Sequence, residues 1–273
     1  MSDTVGSFQI EGKVALITGG ASGLGFNYAK ELLKNGLKGV TLADIDEKIG
    51  LKAVQELESE FGKRKAIFVQ TDVTNFEQFN DAFKKTIETY QNIDILINNA
   101  GILNDAIWQK ELQININGTI HGVLLGLEEY IPKYKSGNEG LIVNISSIVG
   151  VAPSASVPIY ATSKFAVHGL TLSWGLPFHY DRTKVRVVGI CPGATDTPLL
   201  MDMKTKYVKP IYDERGSKEL KLLKTQTPEV VANFAMRVIQ KAPNGTMWVI
   251  EGGKEPYQYV IPDRFNLSTK IFL

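Results

Sequence analysis

The chain reads as a three-layer α/β protein, with one sheet of seven parallel strands and helices packed on both faces. Three observations carry that reading. The strand candidates are nearly all-apolar runs, as strands buried on both faces must be. They alternate with longer segments of helical spacing, which calls for right-handed crossovers and a parallel sheet. A glycine-rich turn joins the first apolar run to the first helical segment.

The elements follow in order. Val14–Thr18 is a continuous apolar run, and Phe26–Asn35, behind the glycines, has helical spacing. Val40–Ala43 is the second strand, followed by a helix over Lys48–Phe61. Ala66–Gln70 and Phe76–Tyr90 repeat the unit, and Ile93–Ile97 is the fourth strand. A long helical pattern over Leu112–Tyr134 leads to the fifth strand, Leu141–Ile145. The helix Ile159–Tyr180 leads to the sixth, Val185–Ile190, and Pro228–Gln240 leads to the seventh, Met247–Ile250.

No repeat, linker or shift in composition divides residues 1–273, so a single domain is expected. Leu199–Gln226 breaks the rhythm, being long, lysine-rich and weakly patterned. A connection of that length inside a compact domain serves as a lid or as a solvated excursion, and residues 199–226 are taken as a lid. Residues 252–273 form a C-terminal tail ending in Ile271-Phe272-Leu273, which covers a pocket or a partner, or frays.

Composition excludes several classes of function. Thirty basic residues against 29 acidic leave a net charge of +1, so no bulk field attracts nucleic acid. The single cysteine, Cys191, forms no intrachain disulfide and no cysteine-based zinc site. The three histidines, His121, His168 and His179, never pair at i+4, so no metal is expected. No apolar run approaches ~18 residues and Met1–Lys13 is polar, so the expectation is a cytoplasmic protein without a membrane span.

The first strand runs into Thr18-Gly19-Gly20-Ala21-Ser22-Gly23-Leu24-Gly25 and then a helix. Glycines let the backbone turn sharply and approach a pyrophosphate, whose charge then sits at the helix N-terminus. This is the opening of a Rossmann-type dinucleotide fold, and no Gly-Lys-Ser/Thr follows to suggest a Walker-type site. Asp44, at the end of the second strand, is placed to accept hydrogen bonds from ribose hydroxyls and to repel a 2′-phosphate. Its neighbours Ala21, Ser22 and Ile45 are not basic, which favours NAD over NADP. Further along, Tyr160 and Lys164 share one helix face at i, i+4, just after the fifth strand, where Ser147 lies. Ten tyrosines give about one such pair by chance, and Tyr180…Lys184 is a second. Tyr180 ends a helix with nothing comparable upstream and reads as structural.

With the glycine loop, Asn98-Asn99-Ala100-Gly101, Asn115, Ser147, Tyr160 with Lys164, and Pro192-Gly193, the chain resembles the short-chain dehydrogenase/reductase family. Within it, Trp108–Asn115, the short gap from Gly101 to Asn115 and Pro243–Trp248 resemble two groups. These are the NAD-dependent 15-hydroxyprostaglandin dehydrogenases and the insect-type alcohol dehydrogenases. The resemblance implies a catalytic set of Asn115, Ser147, Tyr160 and Lys164, with Tyr160 as general base and Ser147 holding the substrate oxygen. It gives Lys164 the nicotinamide ribose and the lowering of the tyrosine pKa, and gives Asn115 a water in a proton relay. It implies NAD held by Gly19, Ala21, Ser22, Gly23, Leu24, Gly25, Asp44, Ile45, Asp72, Val73, Asn99, Ala100, Gly101, Tyr160, Lys164, Pro192, Gly193, Thr195 and Thr197. The activity implied is oxidation of a secondary alcohol. An NADPH-linked carbonyl or steroid reductase is the alternative that Asp44 and Ile45 disfavour; a non-catalytic cofactor-binding protein would not need Tyr160 and Ser147.

Elementary electrostatics shows what those roles require. Moving a phenol from ~10 to ~7 takes about 4 kcal/mol at 1.36 kcal/mol per unit. One ammonium ~4 Å away supplies about 4 kcal/mol at an effective dielectric near 20. The substrate pocket is expected from Leu103–Ile107, Val151–Val157 and Leu199–Lys224, with Ser147, Ser156 and Tyr160 touching the substrate. Its apolar members Val151, Ala152, Pro153, Val157, Leu199 and Leu200 suit a lipid-like alcohol or ketone. Ser156 stands where those relatives often place a glutamine, which counts against prostaglandin itself. The two long helices are where the family pairs subunits, so a homodimer is expected. Gly118, Gly122 and Gly126 allow close approach there, to a partner or within the subunit.

Overall fold

The computed structural model describes residues 7–262. Strand β1 (Val14–Thr18) leads through α1 (Gly23–Lys34) to β2 (Gly39–Asp44), and α2 (Glu47–Phe61) leads to β3 (Ala66–Gln70). Helix α3 (Phe76–Tyr90) returns to β4 (Ile95–Asn98). A long helical run then comprises α4 (Trp108–Leu112), a π segment (Gln113–Asn117), α5 (Gly118–Leu124), a second π segment (Leu125–Tyr130) and α6 (Ile131–Tyr134). It is followed by β5 (Gly140–Ile145), α7 (Pro158–Trp174), α8 (Pro177–Thr183) and β6 (Val185–Pro192). Helix α9 (Tyr212–Leu222), α10 (Pro228–Lys241), β7 (Thr246–Ile250) and β8 (Tyr257–Tyr259) complete the order.

All eight strands form one sheet in the order β3-β2-β1-β4-β5-β6-β7-β8. Successive strand residues point to opposite faces. Ala15 and Ile17 of β1 therefore enter one core layer with Tyr28 and Leu32 of α1 and Val231, Ala235 and Val238 of α10. Leu16 enters the other, with Phe79 and Phe83 of α3 and Val123 of α5. Burial on both faces is why the strand sequences lack alternation.

The eighth strand corrects the expected count of seven. It lies inside the expected tail and runs antiparallel to β7, pairing Met247 with Tyr259 and Val249 with Tyr257. Three residues at a sheet edge are too short to carry a periodic signal. The rest of that tail, with Ile271-Phe272-Leu273, lies outside the described residues. The expected helix Ile159–Tyr180 is broken after Trp174, because Pro177 has no amide to donate and pushes Leu176 to extended backbone, ψ 150°. The second long helix begins at Trp108 rather than Leu112. One of its two π segments precedes Pro132, whose missing donor favours a shifted ladder. Its glycines face inward: a Cβ on Gly118 would fall 2.6 Å from Val73 Cγ2, and one on Gly122 would fall 2.0 Å from Asn98 Oδ1. Close packing of helix on sheet, rather than on a partner, accounts for them.

Candidate active site

The chain leaves β1 toward β2 and β3 on one side, and β4 starts the other half of the sheet. Crossovers diverging from adjacent strands leave a crevice at their C-terminal ends, the place where open α/β sheets bind ligands. The glycine turn fills the β1 side of it. Gly19 and Gly23 adopt φ of +60° and +54°, the left-handed region that glycine reaches without strain. A Cβ at Gly25 would sit 2.1 Å from the Gly19 carbonyl oxygen, so the turn closes only without a side chain there. Ser22 precedes α1 without a side-chain cap bond, and the first turn holds no acid. Its amides are thus free for an anion, which fits a dinucleotide pyrophosphate. Asn99 holds the turn in shape, donating from Nδ2 to the carbonyls of Thr18 at 2.9 Å and Gly19 at 3.1 Å.

At the far end, the Asp44 carboxylate accepts from the amides of Ala21 at 3.0 Å and Asp46 at 3.2 Å. Each oxygen keeps a lone pair for a further donor such as a ribose hydroxyl. Ile45 beside it is exposed. Asp72 accepts from the amide and hydroxyl of Thr74, and the Val73 carbonyl is 2.9 Å from His121 Nδ1. His121 thereby ties the long helix to the Asp72–Val73 pair, a role its sequence position does not reveal.

On the β5 side lie Ser147, Tyr160 and Lys164. Tyr160 lies in the first turn of α7, whose Ile159 and Tyr160 amides are capped by the buried carboxylate of Asp105 at 3.0 and 2.9 Å. Burial pushes the Tyr160 hydroxyl above the usual phenol range; the Ser147 hydroxyl pulls it down and the Glu111 carboxyl pushes it further up. Lys164 is 4% exposed. Its Nζ donates to the Ile145 carbonyl at 3.0 Å and lies 5.6 Å from the Tyr160 ring centroid. Burial brings this ammonium down to about 8. In the chain alone desolvation therefore outweighs the lysine at Tyr160, and the expected lowering of the phenol needs further positive charge. Asn115 is buried inside the first π segment. Its amide exchanges two hydrogen bonds of 2.9 Å with the Ile102 backbone and donates to Ser163 Oγ at 3.0 Å, so its side chain braces the loop after β4. Tyr180, by contrast, donates to Glu139 at 2.7 Å, at a distance in sequence and space from this cluster.

One cavity of about 670 Å³ joins these regions. Gly19, Ser22, Gly23, Leu24, Asp44, Ile45, Asp72, Val73, Asn99, Ala100, Gly101, Ser147, Ser156, Tyr160, Lys164, Pro192, Gly193, Thr195 and Thr197 line it. Ala21, Gly25 and Asn115 do not; the first two act on the lining through the backbone and Asn115 through its side-chain amide. Val151, Ala152 and Pro153 are also away from it, since Val151 packs on Cys191, Met247 and Val249. The substrate end is closed by the segment 199–226, which contributes Leu199, Leu200, Met203, Tyr207, Leu220 and Leu223. This segment is more ordered than its pattern suggests, with α9 as its core. Its end is pinned by the buried Gln226, which bonds Ala194, Asp196, Ile250 and Gly253.

Ser156 is engaged by that segment. Its hydroxyl donates to Glu219 of α9 at 2.6 Å, alongside Ser154 at 2.7 Å and the Ala155 amide. Burial pushes the Glu219 carboxyl up, but these bonds and Arg215 outweigh it and hold it at about 2. Asp105 and Glu219 escaped the sequence reading because each acts on residues far away in the chain, and Glu111 because its tie to the Asn104 amide leaves no motif.

The fold and this cleft define a dinucleotide-binding oxidoreductase. Residues 13–208 match the short chain dehydrogenase family, and the chain belongs to that family. It is 36% identical over 252 residues to the mouse (Mus musculus) 15-hydroxyprostaglandin dehydrogenase [NAD(+)], covering 90% of this chain and 92% of that one. It is also 36% identical over 246 residues to alcohol dehydrogenase 1 of Ceratitis capitata, covering 90% and 94%. Among solved structures, levodione reductase superposes with a TM-score of 0.76 at 25% identity, over 88% of this chain and 96% of that one.

The Glu219 contacts predict the behaviour of the segment over the cavity. Glu219→Gln loses charge-assisted bonds to four residues, so amide exchange and proteolysis within residues 205–225 should speed up about tenfold, equivalent to about 1.4 kcal/mol. Hydrogen-exchange mass spectrometry checks this, and unchanged protection would show that the carboxylate does not hold the segment down.

Proposed function

We propose that the chain oxidises a secondary alcohol with an apolar, lipid-like body to the ketone, using NAD⁺, with Tyr160 as general base. The observation that carries this reading is the meeting of Ser147, Tyr160 and Lys164 on one cavity that opens onto the glycine turn. The relatives named above, one an NAD(+)-linked dehydrogenase of a hydroxylated lipid and one an alcohol dehydrogenase, support the direction and the cofactor.

In this reading the Gly19–Gly25 turn holds the pyrophosphate, Asp44 and Ile45 the adenosine ribose, and Asp72 and Val73 the adenine. Asn99, Ala100 and Gly101 line the middle; Pro192, Gly193, Thr195 and Thr197 line the nicotinamide end. When bound, NAD⁺ supplies the hydride acceptor and a positive ring. Ser147 holds the alcohol oxygen, and Tyr160 takes its proton. Lys164 keeps positive charge beside the phenol and anchors the nicotinamide ribose. Asn115 fixes the loop that bounds the site. Tyr207, Leu199, Leu200 and Met203 exclude water around an apolar substrate body. The same reading includes a homodimer, supported by the exposed Trp108, Leu124 and Phe165 on the two long helical runs. A cytoplasmic location is supported by the buried free thiol of Cys191 and is tested by cell fractionation.

Tyr160→Phe should lower kcat by about 10³-fold while leaving NADH binding intact; near-normal turnover of secondary alcohols by this variant would end the mechanism. Because Asp44 repels a 2′-phosphate, fluorescence titration should show NADH binding at least about tenfold more tightly than NADPH, with Asp44→Ala narrowing the gap. Sedimentation velocity should give a dimer for the wild type and a monomer for Phe165→Asp; a monomeric wild type would remove the pairing proposal.

A further inference from the structure

Glu111 is a fully buried acid beside the site that the mechanism leaves unused and, unlike Asp105, it caps no helix. It has no exposed surface, and it lies on α4 one helical turn before Asn115. One carboxyl oxygen, Oε2, accepts from the Asn104 amide. The other, Oε1, is buried without a hydrogen-bond partner, and so is Asn104 Oδ1 on the very residue that holds Oε2. Two buried acceptors without a donor are costly. A proton on Oε1 converts one of them into a donor, so the surroundings favour a carboxyl that takes up and releases a proton rather than a permanent carboxylate.

Its neighbours connect that carboxyl to the reacting groups through the loop after β4. Among the described residues Lys164 has no carboxylate within salt-bridge distance, although it is a buried ammonium. A Cβ on Gly101 would be 3.1 Å from Asn115 Oδ1 and 3.4 Å from Lys164 Nζ, which puts the loop that Glu111 tethers directly against the ammonium. The charged and titratable groups around Glu111 are Asp105 on the preceding turn, Tyr160 and Lys164 on α7, and Lys110 on its own helix; Lys206 of the segment above binds the same turn through its carbonyl. Ionised Glu111 would hold protons on both Tyr160 and Lys164, the same sign at each site. Burial lifts its own carboxyl to about 7.

We propose that Glu111 is a positioning residue: the distant counter-charge of Lys164, which anchors the loop after β4 and places the pH range in which the Tyr160–Lys164 pair functions. The inference rests on the dehydrogenase reading above. In the pH profile of kcat/KM, the acid limb reports loss of the Tyr160 proton and the alkaline limb loss of the Lys164 proton. Glu111→Gln removes a negative charge that raises both and that is fully present only on the alkaline side of its own titration, so both limbs should move to lower pH, the alkaline one further. The expected displacement of the alkaline limb is on the order of one pH unit, a tenfold change in proton affinity. A residue that merely braces the loop would lower the height of the profile and leave its position unchanged.

The experiment is the pH dependence of NAD⁺-linked oxidation of one secondary alcohol by wild type and Glu111→Gln, with NADH binding as the check on folding. A joint acid shift supports the proposal; a profile that stays in place, or limbs that move apart, overturns it. Should the glutamine variant not fold, infrared titration of the wild type decides: a protonated buried carboxyl band lost near neutral pH supports the proposal, and the absence of that band overturns it. Wild-type protein with no dehydrogenase activity, but with such a titrating carboxyl, would refute the functional reading and not the buried acid.

Discussion

A buried ammonium is the constraint around which this site is built. Lys164 sits in the protein interior with one carbonyl, that of Ile145, as its direct partner, and burial has already brought it down to about 8. Charge in such a place is costly unless the surroundings compensate it. The compensation is spread over the site: the carbonyl at the end of β5, a carboxyl at a distance on α4, and a helix held in register by Asp105. Chemistry at Tyr160 depends on that arrangement, because the phenol is itself pushed up by the same burial. In the proposed reaction, positive charge close by, rather than a hydrogen bond from Ser147 alone, would make it a usable base.

The reversal of strand order explains why these groups can meet. Residues from β1, β4, β5 and β6 reach one crevice only because the crossovers on either side of β1 and β4 diverge. The glycine turn and the α7 pair are more than 130 residues apart in sequence, yet both line the same cavity. The loop after β4 is the shared wall. Asn99 fastens it to the glycine turn, Asn115 and Glu111 fasten it to the long helical run, and Asp105 fastens it to α7. Four polar side chains thus join the dinucleotide half of the crevice to the catalytic half.

Local pattern found what depends on local physics. Strands buried on both faces must be apolar throughout, so seven of the eight were legible. A turn that closes at Gly25 within 2.1 Å of a backbone oxygen must be glycine. Tyr160 and Lys164 share a helix face because of helical pitch. Where the sequence reading failed, the missing information was non-local or too short. The edge strand Tyr257–Tyr259 has only three residues. The π segments arise from a ladder shift that leaves no periodic trace, and the break after Trp174 was available from Pro177 but was hidden by a continuous apolar pattern.

Apolar strand runs and glycine spacing were thus sufficient for the α/β architecture and the NAD-linked oxidoreductase class, and the Tyr160–Lys164 spacing for one shared helix face, since each follows from backbone geometry or side-chain type within a few residues. Folding alone settled that Ser156 is bonded to Glu219 of the segment above the cavity, and that the glycines of the long helical run face the sheet. It likewise settled that Asn115 braces Ile102, and that Glu111, with one carboxyl oxygen unpartnered, tethers the loop that lies against the ammonium. Those facts depend on which residues of distant elements share a dehydrated volume, and no spacing along the chain encodes that.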